Sequence, residues 1–214
     1  MNTNDFDKIA PYYDRLARFV FRDSIRKAQI EFLSQIKPKS KVLILGGGTG
    51  WILQEVIAVE NDVEVFYVDK SSKMIELARS RFDSETPPNV HFINSSMEEW
   101  KSAVDFDTVI CNFFLDVFSE KKLQQQIIPK LKLLLNPEGK LLVADFQNKQ
   151  NVLWQKLLLW VMHAFFGKMS VLESNKLADL SGLLSFAGFD LEKEKYFHRS
   201  MIFSHVYGSK SQYC

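Results

Sequence analysis

The residues of this sequence best placed to do chemistry are a group of glycines and one aspartate. Val42-Leu43-Ile44-Leu45 runs directly into Gly46-Gly47-Gly48-Thr49-Gly50. An apolar run ending in glycines, with helical periodicity beyond it, describes a buried strand turning sharply into a helix. Glycines there let the backbone approach a ligand with no Cβ in the way. In open α/β sheets, ligands bind at the carboxyl ends of the strands. The next strand-like run, Val63 to Val68, ends at Asp69. A carboxylate at that point can accept hydrogen bonds from both hydroxyls of a ribose. The simpler alternative is a structural turn and a surface aspartate. The two features in register favour a nucleoside.

A nicotinamide dinucleotide wants Gly-x-Gly-x-x-Gly. The position of the third glycine is Trp51 here, which would obstruct a pyrophosphate. The elements that must hold the loop follow from apolar spacing. Phe6, Ile9, Tyr13, Leu16 and Val20 recur as on a helix, and so do Ile25, Ala28, Phe32 and Ile36 behind Asp23-Ser24. After Lys37-Pro38-Lys39-Ser40, strands are expected at Val42–Leu45, Val63–Val68, Val90–Ile93, Thr108–Cys111 and Lys140–Ala144. Helices are expected between them, from the glycines to Val59, at Ser72–Phe82 and at Leu123–Leu135, the last ended by Asn136-Pro137-Glu138-Gly139. Alternation of this kind argues a parallel sheet covered on both faces. After a helix near Leu177–Ala187, the runs Phe189–Phe197 and Met201–Tyr207 leave no room for a crossover between them. They should therefore pair antiparallel.

With these features in hand, the chain resembles the class I S-adenosylmethionine-dependent methyltransferases, whose loop motif is close to V-L-D-L-G-C-G-T-G. Val68-Asp69-Lys70-Ser71-Ser72-Lys73-Met74-Ile75-Glu76-Leu77-Ala78 follows the family's ribose segment nearly position for position. Phe106 to Ile110 looks like its fourth strand, Leu142 to Phe146 like its fifth, and Ala187-Gly188-Phe189 like its last helix-to-strand turn. The resemblance spans roughly residues 38 to 208. It implies a Rossmann-like seven-stranded α/β sheet, order 3-2-1-4-5-7-6 with strand 7 antiparallel and helices on both faces. It also implies S-adenosyl-L-methionine as cofactor, held by Gly46, Gly47, Gly48, Thr49, Gly50, Asp69, Lys70 and Met74. Ser96 and Met97 stand where the family meets adenine, and Asn112 and Phe113 where it packs on the methionine and adenosine parts. Phe6 to Asp14 is similar to the start of the ubiquinone and menaquinone C-methyltransferases, in which an aromatic residue reaches over the cofactor. Tyr13, then Tyr12, is the candidate here, with helix packing as the alternative. The resemblance implies N-terminal helices over residues 1–37 covering the cofactor side, and a methyltransferase domain over 38–214, in one domain overall. The sequence departs from the family at Ile44, where an acid is usual, at Gly47, where cysteine is usual, and at Ser95-Ser96-Met97 in place of Gly-Asp-Ala.

On the acceptor side, Asp116 falls where relatives often carry a histidine. Methyl transfer from a sulfonium is mostly a matter of orientation, and a base is needed only if the acceptor loses a proton. Asp116 is the expected catalytic residue, with His163 or His198 in reserve. The alternative is an acid favoured by a helix N-terminus. The segment Val152 to Phe166, inside an apolar insertion at 150–170, is greasy on nearly all sides, and reads as core, as a lid over a greasy acceptor, or as a subunit contact. The Pro-Pro-aromatic and Pro-Cys motifs of nucleic-acid methyltransferases are missing after the fourth strand. With 27 basic and 26 acidic residues, the net charge is +1, so no field steers the chain to nucleic acid. The expected partner is a small, apolar or aromatic acceptor. His91, His163, His198 and His205 have no metal-ligand spacing, and no metal is expected. Two cysteines, Cys111 and Cys214, suit a reducing compartment. With no signal peptide or membrane span in the sequence, the expected location is the cytoplasm. A nicotinamide-dependent oxidoreductase and a non-catalytic nucleoside-binding module are the rival readings.

Overall fold

The computed structural model describes residues 23–82, 86–147, 178–198 and 200–209. The first helical segment, Tyr12 and Tyr13, His163 and the apolar run Val152 to Phe166 lie outside the described residues.

One seven-stranded sheet organises the chain, in the order β3-β2-β1-β4-β5-β7-β6. Its strands are β1 (Lys41–Leu45), β2 (Glu64–Asp69), β3 (Val90–Asn94), β4 (Phe106–Asn112), β5 (Leu135–Phe146), β6 (Phe189–Phe197) and β7 (Ile202–Ser209). Strands β1 to β5 pair parallel, and β7 runs antiparallel to both neighbours. The central strands are buried on both faces because helices cover both, so they read as unbroken apolar runs.

Alternation along the strands separates two cores. Leu43, Leu45, Val109, Cys111, Leu141, Val143, Phe203 and Tyr207 face one side. There they meet α5 (Ile128–Leu134) and α6 (Leu180–Phe186). Val42, Ile44, Val65, Tyr67, Ile110, Leu142 and Val206 face the other. That side is covered by α2 (Trp51–Val59) and α3 (Ser72–Arg79). The first described helix, α1 (Ser24–Ile30), sets Ala28 against Ala144, Phe146, Met201 and Ile202. Ile44, expected as a lost acid, is wholly buried in this second core.

Several boundaries differ from the sequence expectations. The helix expected from Ile25 to Ile36 ends at Ile30 and passes into a 3-10 turn at Leu33–Gln35. The helix expected at Leu123–Leu135 begins earlier, as α4 (Glu120–Lys122), and crosses a π turn at Leu123–Ile127 before α5. Pro129 explains the widening: it has no N–H, and its ring crowds the carbonyl one turn back. Helix α5 ends at Leu134, within a residue of expectation, but strand β5 follows at once from Leu135, and Asn136 to Gly139 form an irregularity in its register with β4. Helix α3 stops at Arg79, three residues short of expectation.

Candidate active site

Register brings the chemistry into a row. Leu45 pairs with Val68 on one side and Cys111 on the other, and Val68 pairs with Ile93. One residue further along each strand gives Asn94, Asp69, Gly46 and Asn112, at the carboxyl edge of the sheet. The parallel topology produces this: sequence-distant strand ends arrive at one level and face one direction.

The loop after β1 is held from four directions. The Gly46 N–H donates to the Val68 carbonyl at 2.9 Å, continuing the ladder by one residue. The Gly48 N–H donates to Asp69 Oδ2 at 3.0 Å, and the Ser71 N–H to Asp69 Oδ1 at 2.9 Å. Asp69 is thus the knot joining the glycine loop to the start of α3. The Tyr67 hydroxyl donates to the Gly48 carbonyl at 2.8 Å. From α3's far end, Arg81 donates to the Thr49 carbonyl, to Thr49 Oγ1 at 3.0 Å and to Gln54 Oε1 at 3.2 Å. The Thr49 hydroxyl is therefore engaged with Arg81.

Each glycine has its own reason. A Cβ on Gly47 would lie 2.3 Å from the Tyr67 ring, and one on Gly50 2.6 Å from the Ala78 backbone. Gly48 differs: its φ is +63°, and a Cβ there would meet nothing within 4 Å among the described residues. That open face is where a ligand can come against bare backbone.

On the β3 side, Asn94 Nδ2 donates to the carbonyls of Asp69 and Lys70 at 3.1 and 2.9 Å and so fixes the ribose segment. Ser96 Oγ donates to Glu99 Oε2 at 3.0 Å and accepts the Glu99 N–H at 3.2 Å, closing its own turn. Met97 is buried. Lys130 Nζ donates to the carbonyls of Met97, Glu98 and Trp100, clamping this segment to α5. Lys70 is exposed, and Met74 is a core residue whose N–H is capped by Ser71 Oγ at 3.2 Å. Of the expected contacts, Gly46 to Gly50, Asp69 and Asn112 come together directly. Met74 and Met97 turn their side chains into the core.

After β4 the chain bends at Phe113, whose φ is +52° and whose N–H reaches the Ala144 carbonyl at 2.7 Å. The Phe113 ring lies 4.8 Å from that of Phe146. Phe114 is the residue that packs on the loop, so close that a Cβ on Gly46 would sit 2.4 Å from its ring. Asn112 Nδ2 is buried without a hydrogen-bond partner among the described residues. An orphaned amide of this kind is costly unless a ligand completes it. Asp116, on the 3-10 turn Leu115–Val117, is partly buried, and burial lifts its carboxyl to about 6. Beside it Asp145, absent from the sequence expectations, is fully buried near the end of β5. The expected reserve His198 lies in the turn between β6 and β7, beyond the end of β6. Tyr67, Arg81, Asn94, Phe114 and Asp145 are the positioning residues sequence reasoning missed. Only Asp145 left a trace, as an acid interrupting the apolar run from Leu141 to Phe146.

Comparison with known proteins gives the family. A family model described as "Methyltransferase domain" matches residues 36–195. The chain is 28% identical over 148 residues to a malonyl-[acyl-carrier protein] O-methyltransferase of Halalkalibacterium halodurans, covering 66% of this chain and 53% of that protein. It is 27% identical over 158 residues to a ubiquinone/menaquinone biosynthesis C-methyltransferase of Ectopseudomonas mendocina, covering 71% and 60%. The chain thus spans little more than half the length of these relatives. Among solved structures, the 1,6-didemethyltoxoflavin-N1-methyltransferase of Burkholderia thailandensis, with bound S-adenosylhomocysteine, superposes with a TM-score of 0.67 at 15% identity, covering 97% of this chain and 87% of that one. The chain belongs to the methyltransferase domain family, in the class I S-adenosylmethionine-dependent group related to the quinone methyltransferases. Among the described residues, those present fit that cofactor: an open glycine face at Gly48, a carboxylate at the end of β2, and an unsatisfied amide at Asn112. Among the described residues, no helix is long and apolar enough to cross a membrane.

Proposed function

We propose that this chain methylates a small, neutral, apolar or aromatic molecule that gives up a proton in the reaction. The observation carrying this reading is the row of Asp69, Gly46 and Asn112 along one sheet edge, with Asp116 on the turn that follows Asn112. In this site the backbone of Gly46 to Gly48 receives the methionine end of S-adenosylmethionine. Asp69, at the end of β2 and joined to the loop through Gly48 and Ser71, receives the ribose. Lys70, Ser96 and the Met97 amide line the adenine side, and Asn112 and Phe113 the turn toward the acceptor. When bound, the cofactor supplies a methyl group on a good leaving group. The protein's task is then orientation, worth up to about 7–11 kcal/mol in favourable cases. Asp116 stands at the acceptor side as the proton acceptor. Its carboxyl, lifted to about 6, is ionised at neutral pH yet more basic than an ordinary aspartate. A carboxylate in that place suits a neutral phenol, enol or amine and repels an anionic acceptor. The near-zero net charge supports a small molecule over nucleic acid, and the sparse cysteines support the cytoplasm.

The test is methyl transfer from isotopically labelled S-adenosylmethionine to a panel of hydroquinones, phenols, amines, carboxylic acids and oligonucleotides. Labelling of neutral aromatic acceptors is the expected result, and labelling confined to carboxylic acids or oligonucleotides would overturn it. The second reading is a nucleoside-binding module without turnover. It is favoured by the engagement of the Ser96 hydroxyl with Glu99 and by the apolar Ile44. Tight cofactor binding with no labelled acceptor in the panel would favour it.

A further inference from the structure

Asp145 is the most deeply placed acid among the described residues, with no surface exposed to solvent. Three backbone N–H groups converge on it. Phe146 donates to Oδ1 at 2.8 Å, while Leu115 and Asp116 donate to Oδ2 at 3.2 and 3.3 Å. Two of those donors open the turn that carries Asp116, so Asp145 ties that turn to the end of β5. The same turn delivers Phe114 to the face of Gly46. One buried carboxyl therefore sets both the residue that meets the acceptor and the residue that packs on the cofactor loop.

We propose that Asp145 is the positioning residue of this site, and that it forms with Asp116 a carboxyl pair carrying one proton between them. The proposal rests on the reading of Asp116 as the group facing the acceptor. Two like charges in one poorly hydrated place cannot both persist cheaply. Asp145 is held well above the usual carboxylate range by burial and then by the neighbouring Asp116 charge, against the pull of its three amides. The other titratable neighbour is Cys111 on β4, whose thiol is pushed up by burial and by Asp145, so it stays neutral. From β7, Phe203 lies opposite Asp145, and His205 stacks on Phe203 at 4.3 Å. With one proton retained on the pair, the Asp116 carboxylate is free to take a second. The acceptor's O–H or N–H bond breaks, its electron pair stays on the acceptor atom, and the proton moves to a carboxylate oxygen of Asp116. Asp145 keeps its own hydrogen bonds throughout.

The experiment is a carbon-13 NMR titration of the full chain carrying aspartate labelled at its carboxyl carbon, without cofactor or acceptor. Asp116→Asn and Asp145→Asn assign the two signals. In the wild type both should titrate late, the earlier midpoint lying near pH 6. Asp145→Asn should leave the Asp116 midpoint near pH 6, because Asp145 is still neutral there. Asp116→Asn, on a partly exposed turn, is the variant that decides: with the Asp116 charge removed, the Asp145 midpoint should fall by a unit or more. An Asp145 midpoint unmoved by Asp116→Asn would overturn the pair. Because the titration uses no acceptor, that failure is separate from failure of the acceptor panel: labelling confined to carboxylic acids would overturn the role of Asp116 and leave the measured coupling in place.

Discussion

Asp69 does two things at once, and the consequences of removing it can be separated. Its oxygens take the N–H groups of Gly48 and Ser71, and the proposed function gives it the ribose as well. Asp69→Ala should weaken S-adenosylhomocysteine binding by about 1.5–3 kcal/mol, the range for hydrogen bonds to charged groups. Calorimetry would check it, and an unchanged dissociation constant would show that the carboxylate serves the loop alone. Gly48 makes the complementary case. A branched side chain there is strained at φ +63° and also occupies the open face. Gly48→Val should abolish binding while the sheet remains folded, read as lost calorimetric heat with unchanged circular dichroism. Normal binding by this variant would mean that the ligand approaches elsewhere.

At the scale of elements, the β6–β7 pair carries a buried imidazole that the cofactor site does not use. His205 is 1% exposed, its Nδ1 lies 2.9 Å from the Tyr207 hydroxyl, and its Nε2 has no hydrogen-bond partner among the described residues. Tyr196, Phe203 and Tyr207 surround the ring, and Glu194 approaches Nε2 at 3.9 Å. Burial pulls its pKa down to about 4, Glu194 opposing only in part. The unfolded chain therefore binds more protons at this position between about pH 6.5 and 4. The contribution to stability is complete above that window and is lost as pH falls through it, on the order of 3 kcal/mol. Urea unfolding at several pH values should show this loss in the wild type and not in His205→Phe, whose stability at neutral pH is lower because Tyr207 keeps only its bond to Ser181. Parallel pH curves for the two proteins would remove His205 from the account.

For the whole molecule, the cofactor site is a seam. The loop belongs to β1 and α2, its anchors to β2 and α3, and the acceptor turn to β4 and β5. A ligand that spans the seam stabilises the folded chain by mass action, about 2.7 kcal/mol at a hundredfold excess over its dissociation constant. S-adenosylmethionine and S-adenosylhomocysteine should each raise the melting temperature, and NAD should not, since Trp51 takes the place of the third dinucleotide glycine. A comparable shift with NAD would overturn the cofactor assignment.

The sequence by itself determined the strand runs, the antiparallel last pair, the glycine loop and Asp69, because these depend on local signals; the order of the strands came from the family resemblance. Apolar runs, turn residues and short connections act over a few positions along the chain. Phe114 under Gly46, Arg81 on Thr49, Lys130 on the 97–100 carbonyls and Asp145 on the Leu115–Asp116 turn were decided only in the tertiary structure. Each joins residues about thirty or more positions apart in the chain. No periodicity records such a pair, because it exists only once strand register has brought the two ends of it to the same level. Asp145 shows the boundary between the two: the sequence places an acid in a buried strand, and only the fold supplies the three amides and the second carboxyl that give it a role.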